Sequence, residues 1–244
     1  MAGIYTPTDP ICFGERAFAP LDSPRSRRAG SVVVGGNAEL METVADLWIG
    51  TGWTVVDATY GEGAFWAWPD MGRHFELIEH DKYKGDGVDF RALPEADGAV
   101  DGWVFDPPYR PKHGSKPVAP LANAYGVGHG ESPNTMDDVL ALYRAGLGEG
   151  HRVLKRGGIA FVKCQDMSYA NRLHVSTLDV MAAIVAAGFE IADQFILVSD
   201  KLATGPRAML GEDGRTTQQR AYRSHSVLWV AQKPLRPARV LQAA

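Results

Sequence analysis

Cysteine is nearly missing from this chain of 244 residues, which has only Cys12 and Cys164. Two thiols so far apart build neither a disulfide framework nor a four-ligand zinc centre, so no metal site is expected. No apolar stretch approaches the roughly 20 residues needed to span a bilayer. The amino terminus carries Asp9 and Glu15 and no long apolar core, so no signal peptide is expected. An excess of positive charge is lacking too. Lys and Arg number 25 against 29 Asp and Glu, a net charge of −4, and the pI is about 6.0. That balance argues against a grip on nucleic acid over the whole surface, while leaving a local basic patch open. Internal repeats and low-complexity tracts are not found. What remains is 45% hydrophobic and 22% charged, an ordinary composition that can bury a core. One α/β domain with loop insertions suits the length, and a reducing cytoplasm suits the cysteines.

Residues 1–36 read as an extended arm with a basic cluster at Arg25, Arg27 and Arg28, which by itself is as well explained as a solvated tail. Residues 37–235 read as the domain proper, and 236–244 as a tail. Asn37 is a plausible N-cap for a helix that buries Leu40, Val44, Leu47 and Trp48 on one face. Short apolar strands then recur at about 53–57, 75–79, 100–105, 158–163, 189–197 and 226–232. Further helices are expected near 137–149 and 177–187, the second closed by Gly188 as a left-handed cap. This alternation predicts a mostly parallel sheet covered by helices on both faces. Two irregular segments, 110–135 and 199–224, break the rhythm. Loops of that length in a compact domain are functional or disordered, and in an open parallel sheet ligands bind at the carboxyl ends of the strands.

Two strand ends carry the chemistry. The first apolar run ends in Asp57-Ala58-Thr59-Tyr60-Gly61-Glu62-Gly63, where Gly61 and Gly63 let a ligand approach the backbone. Dinucleotide enzymes also use Gly-x-Gly turns, but the third glycine of their fingerprint is missing here. An acid before the turn suits a cationic amino-acid tail and would repel a pyrophosphate. The next strand ends at Glu79, a carboxylate able to accept both hydroxyls of a ribose, with Asp81 as the near alternative. Farther on, Val100 to Phe105 leads directly into Asp106-Pro107-Pro108-Tyr109. An aspartate and a prolyl carbonyl held by two rigid prolines can accept both N–H bonds of a conjugated amine, and Tyr109 offers a ring for stacking. Cys164, following a strand, reads as a buried structural residue.

In this order, the motifs resemble those of the S-adenosylmethionine-dependent amino-methyltransferases that act on adenine N6 or cytosine N4. The resemblance runs from about residue 50 to residue 232. It implies a class I methyltransferase domain, a Rossmann-like, mostly parallel seven-stranded sheet with an antiparallel terminal hairpin. It implies S-adenosyl-L-methionine as cofactor, held by Asp57, Thr59, Gly61, Gly63 and Glu79, with Asp89 and Phe90 of Val88-Asp89-Phe90 at the adenine. Asp106, Pro107, Pro108 and Tyr109 become the catalytic residues, and the target adenine of double-stranded DNA must be flipped out of its stack. Arg110, Lys112, His113, Lys116, Arg220 and Arg223 are suited to phosphates. The chain is similar to compact stand-alone enzymes of bacteria and their phages, without the separate recognition domain of larger relatives. That similarity implies a cytoplasmic setting, in a bacterial or an infected host cell. Cytosine N4, an RNA base and a catalytically silent partner subunit remain as alternatives, and neither the recognition sequence nor the oligomeric state follows.

Overall fold

The computed structural model describes residues 29–68, 74–111, 133–170, 172–199, 221 and 223–235. Lys112, His113, Lys116 and Arg220, with most of the arm and of both irregular segments, lie outside the described residues. Along the chain run β1 (Val32–Gly35), α1 (Asn37–Trp48), β2 (Thr54–Asp57), β3 (Glu76–Glu79) and β4 (Val100–Phe105). Then come α2 (Met136–Val153), β5 (Leu154–Cys164), β6 (Met167–Tyr169), β7 (Arg172–His174), α3 (Ser176–Ala186), β8 (Glu190–Ser199) and β9 (His225–Gln232). Seven strands form one sheet in the order β1-β8-β9-β5-β4-β2-β3, and β6 and β7 form a separate hairpin. Every neighbouring pair in the large sheet is parallel except those made by β9, which is antiparallel to β5 and β8.

Strand alternation sorts side chains onto two faces. On one face, Trp103 and Phe105 of β4, Ala160 and Val162 of β5 and Trp229 of β9 pack with α2 and α3. On the other, Val104, Phe161, Leu228 and Val230 pack against Leu40, Met41 and Val44 of α1. A sheet buried on both sides is what the continuous apolar runs predict. The helices stop and start on local chemistry. Thr135 Oγ1 accepts from the Asp138 N–H at 3.1 Å, while Asp138 Oδ2 accepts from the Thr135 N–H at 3.0 Å, a reciprocal cap at the head of α2. Gly188 closes α3 at φ +95°, and the Phe189 N–H bonds back to the Ile184 carbonyl.

Three details depart from expectation. Residues 32–35, read as part of an arm, form β1 and supply the seventh strand by pairing with β8. Leu47, expected on the buried face of α1, is exposed, and Met41 and Ala45 are buried there with Leu40 and Val44. Asn37 is the first residue of α1 and Gly36 its cap, because the Glu39 carboxylate accepts from the Gly36 N–H at 2.9 Å.

Helix α2 lies close on β4 because Gly146 and Gly150 share the face that meets the sheet. A Cβ on Gly146 would overlap the Phe105 ring, and one on Gly150 the Trp103 ring. Both rings are fully buried, so neither can step aside. Gly146→Ala should therefore lower stability by ~1–3 kcal/mol through overpacking, despite a helix-propensity gain of up to ~1 kcal/mol. Urea denaturation measures this directly; a variant as stable as the wild type would refute the close approach.

Candidate active site

The parallel strands β2, β3 and β4 end along one edge of the sheet, and their exits are stitched together. Asp57, 1% exposed, accepts from the Thr59 N–H at 2.9 Å and from Trp66 Nε1 at 2.8 Å. Thr59 Oγ1 in turn accepts from the Asp106 N–H at 2.8 Å. One threonine thus joins the glycine turn to the Pro-Pro turn. Gly61 and Gly63 stand at φ +59° and +71°, and a Cβ on Gly63 would collide with the Tyr60 hydroxyl. At Gly61 a Cβ would meet only the Thr59 carbonyl oxygen, at an ordinary contact distance of 3.9 Å. Burial pushes Asp57 up to about 7 against the pull of its Trp66 and Thr59 donors. Its carboxylate is engaged in holding the loop.

The two candidate ribose carboxylates differ sharply. Asp81 is buried and spends its oxygens on the Gly61 N–H (3.0 Å) and the Tyr83 and Lys84 N–H groups (2.7 Å each). Glu79 ends β3 and is exposed, and its carboxylate makes no hydrogen bond with the described residues. Asp89 is held in a fork by Arg91 and bridged by Lys82 at 3.2 Å, and Arg91 drives its carboxyl far below the usual range. Phe90 stands edge-on to Phe105 with centroids 5.1 Å apart.

Asp106 lies just beyond β4 and is 8% exposed. Its Oδ2 accepts from the Lys163 ammonium at 3.2 Å, and its Oδ1 is buried with no hydrogen-bond partner among the described residues. Burial raises the Asp106 carboxyl, opposed by the Lys163 charge. Lys163 is itself 5% exposed, and its ammonium lies 5.6 Å from the Phe65 ring centroid and 5.8 Å from that of Tyr109. Nothing in the motif Asp106-Pro107-Pro108-Tyr109 announces Lys163. The available signal was a lysine near the end of an otherwise apolar strand. The β4–β5 register pairs Phe105 with Val162, so the next residues, Asp106 and Lys163, fall side by side. Removing one member of such a buried pair costs ~3–5 kcal/mol, because the other charge is left uncompensated.

Around this centre, Pro107 is buried while Pro108, Tyr109 and Arg110 are half-buried. Arg110 reaches Gln165 Oε1 at 3.4 Å and lies 6.0 Å from the Tyr109 centroid. Arg223 is half-buried, and its Nε is buried without a hydrogen-bond partner among the described residues. Because β8 runs parallel to β4, its end at Ser199 and the start of β9 lie on the same edge as Asp106. A hollow of about 540 Å³ opens on that edge between the heads of α2 and α3, bordered by Tyr143, Tyr169, Arg172 and His174. Burial pushes the Cys164 thiol strongly up, which leaves it inert as a nucleophile.

No family model matches the chain, and no curated protein matches it. Among solved structures it is similar to a candidate DNA modification methylase from Thermus thermophilus, at 16% identity and a TM-score of 0.39. That match covers 60% of this chain and 52% of the other, so the chain spans about half the length of the Thermus protein. A SAM-dependent methyltransferase from Thermotoga maritima, described as a possible histamine N-methyltransferase, matches at 14% identity and a TM-score of 0.39, covering 81% and 90%. The 1,6-didemethyltoxoflavin-N1-methyltransferase of Burkholderia thailandensis matches at 14% and 0.41, covering 81% and 78%. The sheet described above, parallel but for one strand and covered on both faces, is a class I, Rossmann-like architecture.

The raised Asp57 gives a pH signature. Its folded value of about 7 lies above the ordinary 3.8, so the folded state holds the proton more tightly. Its contribution is complete below about pH 4 and is lost as pH rises towards 7. Asp57→Asn removes this dependence. The stability of the variant relative to the wild type should therefore increase by ~2–4 kcal/mol between about pH 4 and 7. Denaturation curves at several pH values check this; a constant difference would contradict it.

Proposed function

We propose that this chain transfers a methyl group from S-adenosyl-L-methionine to the exocyclic amine of a nucleic-acid base, adenine N6 in double-stranded DNA. The observation that carries the reading is the Asp106 carboxylate. It is buried at a strand exit, charge-paired through one oxygen, open at the other, and followed by two prolines and an aromatic ring. A conjugated amine is a poor nucleophile until its lone pair is freed from the ring. Asp106 Oδ1 accepts one of its N–H groups and the Pro107 carbonyl the other. Together they favour a pyramidal nitrogen. Tyr109 stacks on the flipped base, worth ~1–3 kcal/mol. The hollow beside Tyr143 and Tyr169 has room for the neighbouring part of the substrate.

The open backbone at Gly61 and the free carboxylate of Glu79 suit a nucleoside cofactor with an unsubstituted ribose. When bound, the cofactor supplies an electrophilic methyl on a sulfonium. Glu79 accepts the two ribose hydroxyls, and Asp81 keeps the Gly61 turn in place. Phe90 packs beside the adenine, and Asp57 acts through the Thr59–Trp66 loop rather than by direct contact. Arg110 and Arg223 take up phosphates near the target, in company with Lys112, His113, Lys116 and Arg220.

The test is incubation with labelled S-adenosylmethionine and unmethylated DNA, followed by mass spectrometry of the released nucleosides. N6-methyladenine is the expected product. Asp106→Ala should lower turnover by at least ~100-fold while leaving cofactor affinity close to wild type. Tyr109→Phe should keep much of the activity, whereas Tyr109→Ala should not. N4-methylcytosine alone would refute adenine and keep the mechanism. Methylation of RNA and not DNA would refute the substrate, and wild-type turnover by Asp106→Ala would refute the catalytic centre.

A further inference from the structure

We propose that Lys163 is a positioning residue for this reaction: its ammonium fixes one Asp106 oxygen, keeps the carboxylate charged in a dry site, and thereby presents the other oxygen to an amine. This rests on the methyl-transfer reading above and deepens it. Lys163 meets Asp106 because the β4–β5 register carries both side chains past Phe105 and Val162 on the same face. The pair is almost completely enclosed, with side-chain exposures of 6% and 10%. The phenyl face of Phe65 and the ring of Tyr109 flank the ammonium. They hold its charge without a second carboxylate to draw it from Asp106. Its backbone is fixed as well, since the buried Tyr143 hydroxyl donates to the Lys163 carbonyl at 2.7 Å.

The groups facing the pair are few. Among the described residues, Asp57 at the end of β2 feels the Asp106 charge, which helps to raise its own carboxyl, and Tyr109 and Cys164 interact with the Lys163 ammonium. A carboxyl buried beside a second buried acid would keep its proton were no cation present. A protonated Asp106 would keep only a neutral carbonyl acceptor, weaker than a carboxylate, and would add a donor that an N–H cannot use. The unpartnered Oδ1 is therefore the part of the design that Lys163 preserves.

The open oxygen also narrows the acceptor class. A primary amine offers two N–H donors, one for Asp106 Oδ1 and one for the Pro107 carbonyl, whereas an alcohol, phenol or thiol offers one. On methylation the amine nitrogen becomes cationic and sheds one N–H proton, which leaves through Asp106 to solvent. The geometry thus favours amines over oxygen and sulfur nucleophiles.

The experiment compares the full-length wild type with Lys163→Met, Lys163→Arg and Asp106→Asn/Lys163→Met. Turnover with labelled S-adenosylmethionine and unmethylated DNA is followed across about pH 6 to 9, alongside calorimetry of cofactor binding. Carbon-13 NMR of the Asp106 carboxyl, assigned with Asp106→Asn, gives a readout that needs no turnover. Lys163→Met is expected to lose at least ~100-fold in kcat with cofactor affinity nearly unchanged. Its residual activity should climb with pH where the wild type is level, and Lys163→Arg should recover part of the loss. Asp106 should be ionised at neutral pH in the wild type and protonated in Lys163→Met. Should Lys163→Met unfold, the double variant is expected to regain the fold, because it removes both charges. Wild-type kcat in Lys163→Met, a parallel loss of cofactor affinity, or an Asp106 that stays ionised without Lys163 would each overturn the proposal. If the wild type methylates no base while Asp106 still depends on Lys163 for its charge, the pairing stands and the nucleic-acid reading falls.

Discussion

One buried charge pair, Asp106 with Lys163, sets the terms for the rest of this structure. Two ions can be held out of water only where their surroundings are rigid and dry, since any loosening restores the desolvation penalty. The neighbourhood meets that demand from several directions. Gly146 and Gly150 bring α2 down onto Phe105 and Trp103, immediately before Asp106. Tyr143 fixes the Lys163 carbonyl from the same helix. Thr59 holds the Asp106 N–H from the far side. Two prolines then restrict the backbone that follows.

The threonine link also makes the two strand exits one unit. Asp57, Thr59 and Trp66 organise the glycine turn, and the same Thr59 braces the Pro-Pro turn across β2 and β4. Buried acids therefore serve two different purposes here. Asp57 has both oxygens hydrogen-bonded within its own loop, whereas Asp106 keeps one oxygen without a partner among the described residues. Beyond β3 the same division recurs. Asp81 caps backbone groups, and Glu79 remains available to a ligand. Free acceptors at Asp106 and Glu79, on one sheet edge, define what the site can bind better than the count of acids does.

Much of this was legible in the sequence, and the exceptions share a cause. The strands of the large sheet from β2 onward, α2, α3 and the Gly188 cap follow from local periodicity and turn chemistry, which neighbouring residues decide, whereas the β6–β7 hairpin was not expected. Asp106 at a strand exit was readable for the same reason. Strand β1 was not, because Val32-Val33-Val34 becomes a strand only by pairing with Ile196 to Val198. Lys163 escaped notice because its meaning depends on strand register, and a shift of one residue would turn it to the opposite face. The choice between Glu79 and Asp81 turned on where three backbone N–H groups point. Asp89 looked like an open acceptor, but Arg91 and Lys82 occupy it. Pairwise geometry across the fold is what a linear reading lacks.

On this reading the unpaired oxygen of Asp106 receives the acceptor amine while Lys163 holds the other. A crystal structure of the chain with S-adenosylhomocysteine and a deoxyadenosine-containing oligonucleotide tests this most directly. The adenine N6 nitrogen is expected within hydrogen-bond distance of Asp106 Oδ1, about 2.7–3.2 Å, with Lys163 still on Oδ2 and the base over Tyr109. An amine bound elsewhere, or Lys163 swung away to the ligand with Asp106 left unpaired, would contradict it.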